Sequence, residues 1–231
     1  MKRALALMLA AGCATASHVK KMEAEGEALR LDLAESYVHK KSYVAAIPLL
    51  RRSVDSDPKD PRAHVLFGVV LREQGLYPQA EKELKTATEL KPSWARGWKE
   101  LGVLHDLQRR PADAERAHRN ALELAPKDAE VWNNLGFSLY VAGRTEEAIP
   151  ALEKALALDP GLIVAYNNLG FAYGRAGRLD DAERSFRTAG GEQSVLVNMA
   201  IVHEKRGETD TAERMRAEAK LKDPKLELEV P

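Results

Sequence analysis

A single cysteine, Cys13, stands in a chain of 231 residues. One thiol excludes an intramolecular disulfide, a multi-cysteine zinc site and a CxxC redox motif. Aromatics are sparse, with 4 Phe, 6 Tyr and 3 Trp, which argues against an aromatic-rich β-sandwich. An excess of charge of either sign is also missing. Lys plus Arg number 35 and Asp plus Glu number 35, so no net field steers the chain toward nucleic acid or anionic lipid. No apolar run reaches the ~18 residues of a membrane-spanning helix. Motifs of catalysis and phosphate binding are absent: there is no GxGxxG, Walker A, GxSxG or HExxH, and no two histidines lie at i, i+4. What remains is 45% hydrophobic and 30% charged, a composition that buries a core and is not that of a disordered chain.

The first residues read MKRALALMLAAGC. Lys2 and Arg3 form a short positive segment, and the apolar stretch from Ala4 to Ala11 fits the h-region of a signal peptide but not a bilayer span. Ala11 and Gly12 place small residues directly before Cys13. This resembles the lipobox of bacterial lipoproteins, although Leu9 lies four residues before the cysteine where the family prefers three. The resemblance implies a signal peptide over 1–12, cleavage before Cys13, lipidation of that residue and export, with 13–26 as lipidated N-terminus and tether. Several acyl chains on one residue give stable anchoring where a single chain is marginal. Ala14, which is not Asp, implies by the same analogy passage to the outer membrane facing the periplasm. The alternative is an ordinary helical start with a buried thiol.

The remainder repeats itself. Small residues recur at Ala34, Gly68, Gly102, Gly136, Gly170 and Ala200, in steps of 34 four times and then 30. A large apolar residue precedes each: Leu33, Phe67, Leu101, Leu135, Leu169 and Met199. Alanine follows twelve residues later, at Ala46, Ala80, Ala114, Ala148, Ala182 and Ala212. A fixed period of this size marks a stacked-repeat protein. Each repeat reads as two helices. Trp132, Leu135, Gly136 and Leu139 fall on one helical face. Gly143 ends that helix, as Gly75, Gly177 and Gly207 end theirs, by taking the left-handed conformation. Thr145 is the expected N-cap of the following helix. Pro78 and Pro111 fall near the start of second helices, where a missing N–H costs little, and Pro48 and Pro150 lie about one turn in. The small residues let the two helices of a repeat approach closely.

This pattern resembles the tetratricopeptide repeat (TPR), most fully in the fifth repeat, with Tyr166, Leu169, Gly170, Tyr173, Ala182, Phe186 and Ala189. The expected fold is all-α, a right-handed α-solenoid of six TPR helix-turn-helix repeats over 27–60, 61–94, 95–128, 129–162, 163–192 and 193–226, with a tail at 227–231. The fifth repeat is four residues short around Gly190-Gly191. The sixth carries Arg216 where an apolar residue belongs, as a polar-faced cap does.

Resemblance to this family implies that first helices line a concave groove. The groove positions are Arg96, Lys99, Glu100, Val103 and Asp106 in the third repeat, and Asn133, Asn134, Phe137 and Tyr140 in the fourth. They continue with Asn167, Asn168, Phe171 and Arg175 in the fifth, and Asn198, Ile201 and Glu204 in the sixth. Asn134, Asn168 and Asn198 occupy one position of three successive repeats. Carboxamides offer donors and an acceptor, and such a row resembles the asparagine ladder of peptide-binding TPR proteins. An alternative is that these residues bond locally or to water. The chaperone type of TPR, which clamps a C-terminal carboxylate, is a poor match: Leu31, Glu35, Leu66, Arg96 and Glu100 stand at its positions, and only Arg96 is compatible.

His105 and His118 occupy packing positions of the third repeat and read as hydrogen-bonded core histidines that meet inside it, not as a metal site. Trp98 and Trp132 read as core by spacing. Acidic pairs such as Glu146-Glu147 and Asp180-Asp181 open second helices, where they suit the helix dipole. The expectation is therefore a non-enzymatic protein-binding scaffold without cofactor, metal or nucleic-acid partner. Its partner would be an extended protein segment. A TPR lipoprotein of this size resembles the pilotin-type factors that assist assembly of the type IV pilus secretin. The last two repeats resemble the TPR assembly lipoproteins of Flp/Tad pili. An alternative is a cell-envelope adaptor for a peptidoglycan enzyme or stress component.

Overall fold

The structure is a computed structural model that describes residue 21 and residues 25–222. The expected leader over 1–12, Cys13, most of the expected tether and the tail at 227–231 lie outside the described residues. Twelve helices occupy the described residues and are joined in sequence as antiparallel pairs. The chain divides into two compact units, Met1–Ser93 and Trp94–Pro231. The division falls within one residue of the expected boundary between the second and third repeats.

The first unit holds α1 (25–39), α2 (Tyr43–Ser56), α3 (Pro61–Glu73) and α4 (Tyr77–Leu90). The second holds α5 (Ala95–Leu107), α6 (Pro111–Leu124), α7 (Ala129–Val141), α8 (Thr145–Leu158), α9 (Ile163–Arg175), α10 (Leu179–Ala189), α11 (Glu192–Lys205) and α12 (Thr209–Lys222). Within the second unit each odd-numbered helix packs on the helix that follows it, and α6, α8 and α10 also pack on the first helix of the next repeat. This alternation builds a continuous core from short local contacts.

The small residues sit where the paired helices cross. A Cβ on Gly68 would stand 2.6 Å from Leu84 Cγ, and one on Gly136 would stand 2.6 Å from Leu152 Cγ. Phe186 closes on Gly170 in the same way, and His118 on Gly102. One slot per repeat is thus filled by Leu84, His118, Leu152 or Phe186, each buried. Pro78 and Pro111 lie in first turns, and Pro48 and Pro150 inside α2 and α8.

The turns inside repeats share one geometry. Gly75, Gly143, Gly177 and Gly207 have φ between 73° and 82°. The following amide bonds back across the turn, as in Arg144 N to Leu139 O and Arg178 N to Tyr173 O, both 2.9 Å. This is the Schellman motif. Lys41 and Arg109 adopt the same left-handed conformation at φ 55° and 57° without being glycine. A side chain there costs ~1–2 kcal/mol. Arg109→Gly is therefore expected to stabilise the protein by ~1 kcal/mol, seen as a raised urea midpoint, whereas Arg109→Ala should not. Equal midpoints for Gly and Ala at this position would contradict the assignment.

Two local expectations are corrected. Thr145 is the first residue of α8 and is buried; the N-cap is Arg144, with no side-chain cap bond. The reason is the tight turn: Arg144, directly after the left-handed glycine, closes the Schellman bond with its amide and accepts the first helical bond with its carbonyl, so the helix starts one place earlier. Arg144 instead pairs with Glu147, as Arg110 pairs with Asp113 and Arg178 with Asp181. These bonds hold all three carboxyls below their ordinary range. Trp98 and Trp132 are half-buried and flank the cluster of Val131, Leu135 and Leu139, where they were expected inside it. Trp132 Nε1 donates to Pro126 O at 2.9 Å, which keeps the polar edge of the indole at the rim.

Candidate functional site

In the second unit the first helices α5, α7, α9 and α11 lie side by side, each touching the next. Their common face carries most of the residues singled out from the sequence. The asparagines bond to one another across it. Asn133 Nδ2 donates to Asn134 Oδ1 at 3.2 Å, and Asn168 Nδ2 donates to Asn133 Oδ1 at 2.8 Å. One helix further, Asn198 Nδ2 donates to Asn167 Oδ1 at 3.2 Å. Asn133 is buried and acts as the bracket of this chain, while Asn134, Asn167, Asn168 and Asn198 are half-buried. The internal bonds hold each carboxamide in place. Within the described bonds, Asn134 keeps its amino group, and Asn168 and Asn198 keep their carbonyl oxygens, so donors and acceptors both remain for a ligand.

Beside this row lies an open apolar cleft of about 690 Å³ between α5 and α7. Val103, Leu107, Phe137 and Val141 line it, with Pro111 at its edge and Asp106, Arg109 and Asn134 as polar members. Leu107 is 51% exposed, Phe137 38% and Val141 46%. Single exposed apolar groups are ordinary, but a contiguous patch marks a contact surface. Two smaller clefts continue along the face. One, of about 300 Å³, is lined by Tyr140, Phe171, Arg175, Ile201 and Lys205 among others. The other, of about 470 Å³, lies at the short junction of the fifth and sixth repeats, between Asn167, Gly190, Gln193 and Asn198. Phe171 is also tied to the core, its ring packed edge-on against Phe186 at 4.9 Å.

Several other expected groove residues are bonded within the protein. Lys99 Nζ bonds Glu130 at 2.7 Å and lies 3.9 Å from Asp128, joining α5 to the next repeat. Burial works against its charge, but Glu130, Asp128 and Glu100 outweigh it and raise its pKa above the ordinary lysine range. Arg96 is half-buried on the same helix. Asp106 lies nearly buried, accepting from Ser138 Oγ at 2.7 and 2.8 Å, and its Oδ2 is 3.0 Å from Nε2 of the fully buried His118. His105 Nδ1 is 3.3 Å from Gln108 Oε1, so the two histidines of the third repeat have separate hydrogen-bond partners. Leu107 and Val141 were missed from the sequence. They follow Asp106 and Tyr140 directly and stand at i+4 from Val103 and Phe137, a spacing that places them on one helical face and that was there to be read. Among the described residues no cluster of three or more His, Cys, Asp or Glu is arranged to hold a metal ion, and no helix is long and apolar enough to cross a membrane.

The tetratricopeptide repeat family matches residues 3–61, 37–101, 128–189 and 193–218. The chain is a tetratricopeptide-repeat protein. Its six TPRs are the helix pairs described above, and the family is one of protein- and peptide-binding scaffolds, typically non-enzymatic. No curated protein sequence matches the chain. Solved structures share the TPR fold at low identity. PilW, described as a widely conserved type IV pilus biogenesis factor, superposes with a TM-score of 0.75 at 22% identity, over 87% of this chain and 95% of that one. PilF of Pseudomonas aeruginosa gives 0.72 at 20% identity, over 87% and 94%. YrrB, described as a TPR protein with an unusual peptide-binding site, gives 0.59 at 19% identity, over 76% and 93%.

Proposed function

We propose that this TPR protein captures an extended segment of a partner protein on the face formed by α5, α7, α9 and α11. In this reading it acts at the bacterial cell envelope, anchored through acyl chains on Cys13, as an assembly factor for a pilus or its secretin. The observation that carries the binding reading is the exposed patch of Leu107, Phe137 and Val141 beside a prearranged row of carboxamides. Apolar area supplies affinity, and a few fixed polar groups orient a backbone. Fixing the carboxamides in advance reduces the ordering cost of binding. The pilus reading draws support from the likeness in fold to PilW and PilF and from the pilotin-like sequence. The anchor draws support from the lipobox-like segment and the placement of the sole cysteine.

The test is co-purification from membranes in mild detergent. Leu107→Ser/Phe137→Ser changes two exposed side chains and is expected to leave the melting curve within about 1 kcal/mol of wild type, as exposed substitutions do. It is expected to lose a secretin or pilus subunit that the wild type retains. A peptidoglycan enzyme lost in its place would make the protein an envelope adaptor, and an unchanged partner set would refute the groove. Cys13→Ser is expected to abolish acyl labelling; label persisting on another residue would sink the anchor.

A further inference from the structure

The cleft between α7, α9 and α11 differs from its apolar neighbour in charge. Its floor is Tyr140, Phe171 and Ile201. The helices come this close because residue 174 is glycine: a Cβ there would lie 2.6 Å from Val202 Cγ2. Three cations line the cleft: Arg175, Lys205 and Arg206. Arg206 is spent on Glu208 at 2.9 Å, and Glu204, the carboxylate beside Lys205 on α11, is paired with Arg216. Arg175 and Lys205 are exposed, and among the described residues no carboxylate pairs with either.

Arg175 is nonetheless held in place. Its guanidinium carbon lies 3.7 Å over the centroid of the Tyr140 ring, and Nη1 donates to the Tyr140 carbonyl oxygen. A guanidinium carries five N–H donors, so this one is fixed by stacking and a backbone bond with most of its donors uncommitted. A planar, prearranged cation beside an apolar floor suits a carboxylate attached to an apolar neighbour. A phosphate backbone would find two cations here and a floor with no use for it, in a chain with no net charge.

From this geometry we infer that the cleft selects partner segments in which an Asp or Glu side chain lies within about two residues of a Leu, Ile or Phe, the acid meeting Arg175 and Lys205 and the apolar side chain meeting Phe171 and Ile201. The inference rests on the groove reading above and adds the chemistry of the partner to it.

The probe is an array of synthetic dodecapeptides in a Gly/Ser/Asn frame, each carrying one Leu or Phe, with Glu, Gln or Lys at every nearby spacing. The full chain is applied, and the best binders are measured by fluorescence anisotropy. Glu peptides are expected to bind about five- to tenfold tighter than their Gln twins, the size of a partly exposed charge-assisted contact, and Lys peptides weaker than both. Arg175→Gln/Lys205→Gln should abolish the preference for Glu over Gln. Arg175→Lys, which keeps the charge but not the planar stack, should retain part of it. Glu and Gln peptides that bind alike, or a preference that survives the double substitution, overturn this inference and leave the groove intact. Binding of no peptide at all overturns both readings. Loss in the double variant of binding to a single-stranded oligonucleotide, with peptide binding unchanged, reassigns the two cations to phosphate and also overturns it.

Discussion

Gly136→Leu is expected to destabilise the protein by about 3 kcal/mol or more, the upper end of what overpacking a core costs. The first atom of the new side chain would already lie 2.6 Å from Leu152 Cγ and 3.2 Å from the Ala148 carbonyl oxygen. Leu152 is fully buried and has no room to swing aside, so α8 must move away from α7. That movement also disturbs α9, which packs on both, and nearest-neighbour contacts of this kind carry the stability of stacked repeats. Gly136→Ala should do less harm, since alanine recovers ~1 kcal/mol of helix propensity against the same first clash. Gly191→Ala is the control, because a Cβ there meets nothing within 4 Å. Urea unfolding of the three variants checks the order Leu, Ala, control. A Gly136→Leu curve that matches wild type would remove the packing role of this glycine.

Asp106→Ala is expected to cost about 2–4 kcal/mol, the range for leaving a buried polar partner unpaired. His118 is fully buried, its Nδ1 has no hydrogen-bond partner, and its Nε2 relies on Asp106. Ser138 loses its carboxylate as well but keeps the Asn134 carbonyl oxygen at 3.0 Å. His118→Leu is the informative contrast. It puts into the third repeat the residue that Leu84 and Leu152 supply in the second and fourth, and Asp106 keeps the Ser138 hydroxyl. The expected cost is ~1 kcal/mol or less for a substitution of similar volume. The double variant should then be more stable than Asp106→Ala alone, with a coupling of ~1–2 kcal/mol between the sites. Strict additivity in the cycle would contradict the pairing.

The same residues show how far the sequence could be read. The slot filled by Leu84, Leu152 and Phe186 was legible because a glycine 16 residues earlier marks each one, and a period needs only residue identity. The left-handed glycines were legible for the same reason. Lys41 and Arg109 lie one period from Gly75 and Gly143, so their conformation could be read from position although neither residue is glycine. Thr145 was misjudged because a good capping residue was weighed without the turn that precedes it. The bond from Ser138 to Asp106 spans 32 residues and that from Asn168 to Asn133 spans 35. Periodicity aligned the asparagines, but only the packing of α7 on α9 decides that they bond to one another and that Asn133 is buried. The shared face of the first helices was therefore legible by pattern, while the bonds among its residues depended on three dimensions.

The most direct test of the account is site-specific photo-crosslinking in membranes, with benzoylphenylalanine placed at Phe137 or, separately, at Lys154, an exposed residue of α8. One discrete crosslinked partner is expected from position 137 and none from 154. A partner captured equally from both positions, or from 154 alone, would contradict binding on the face of the first helices.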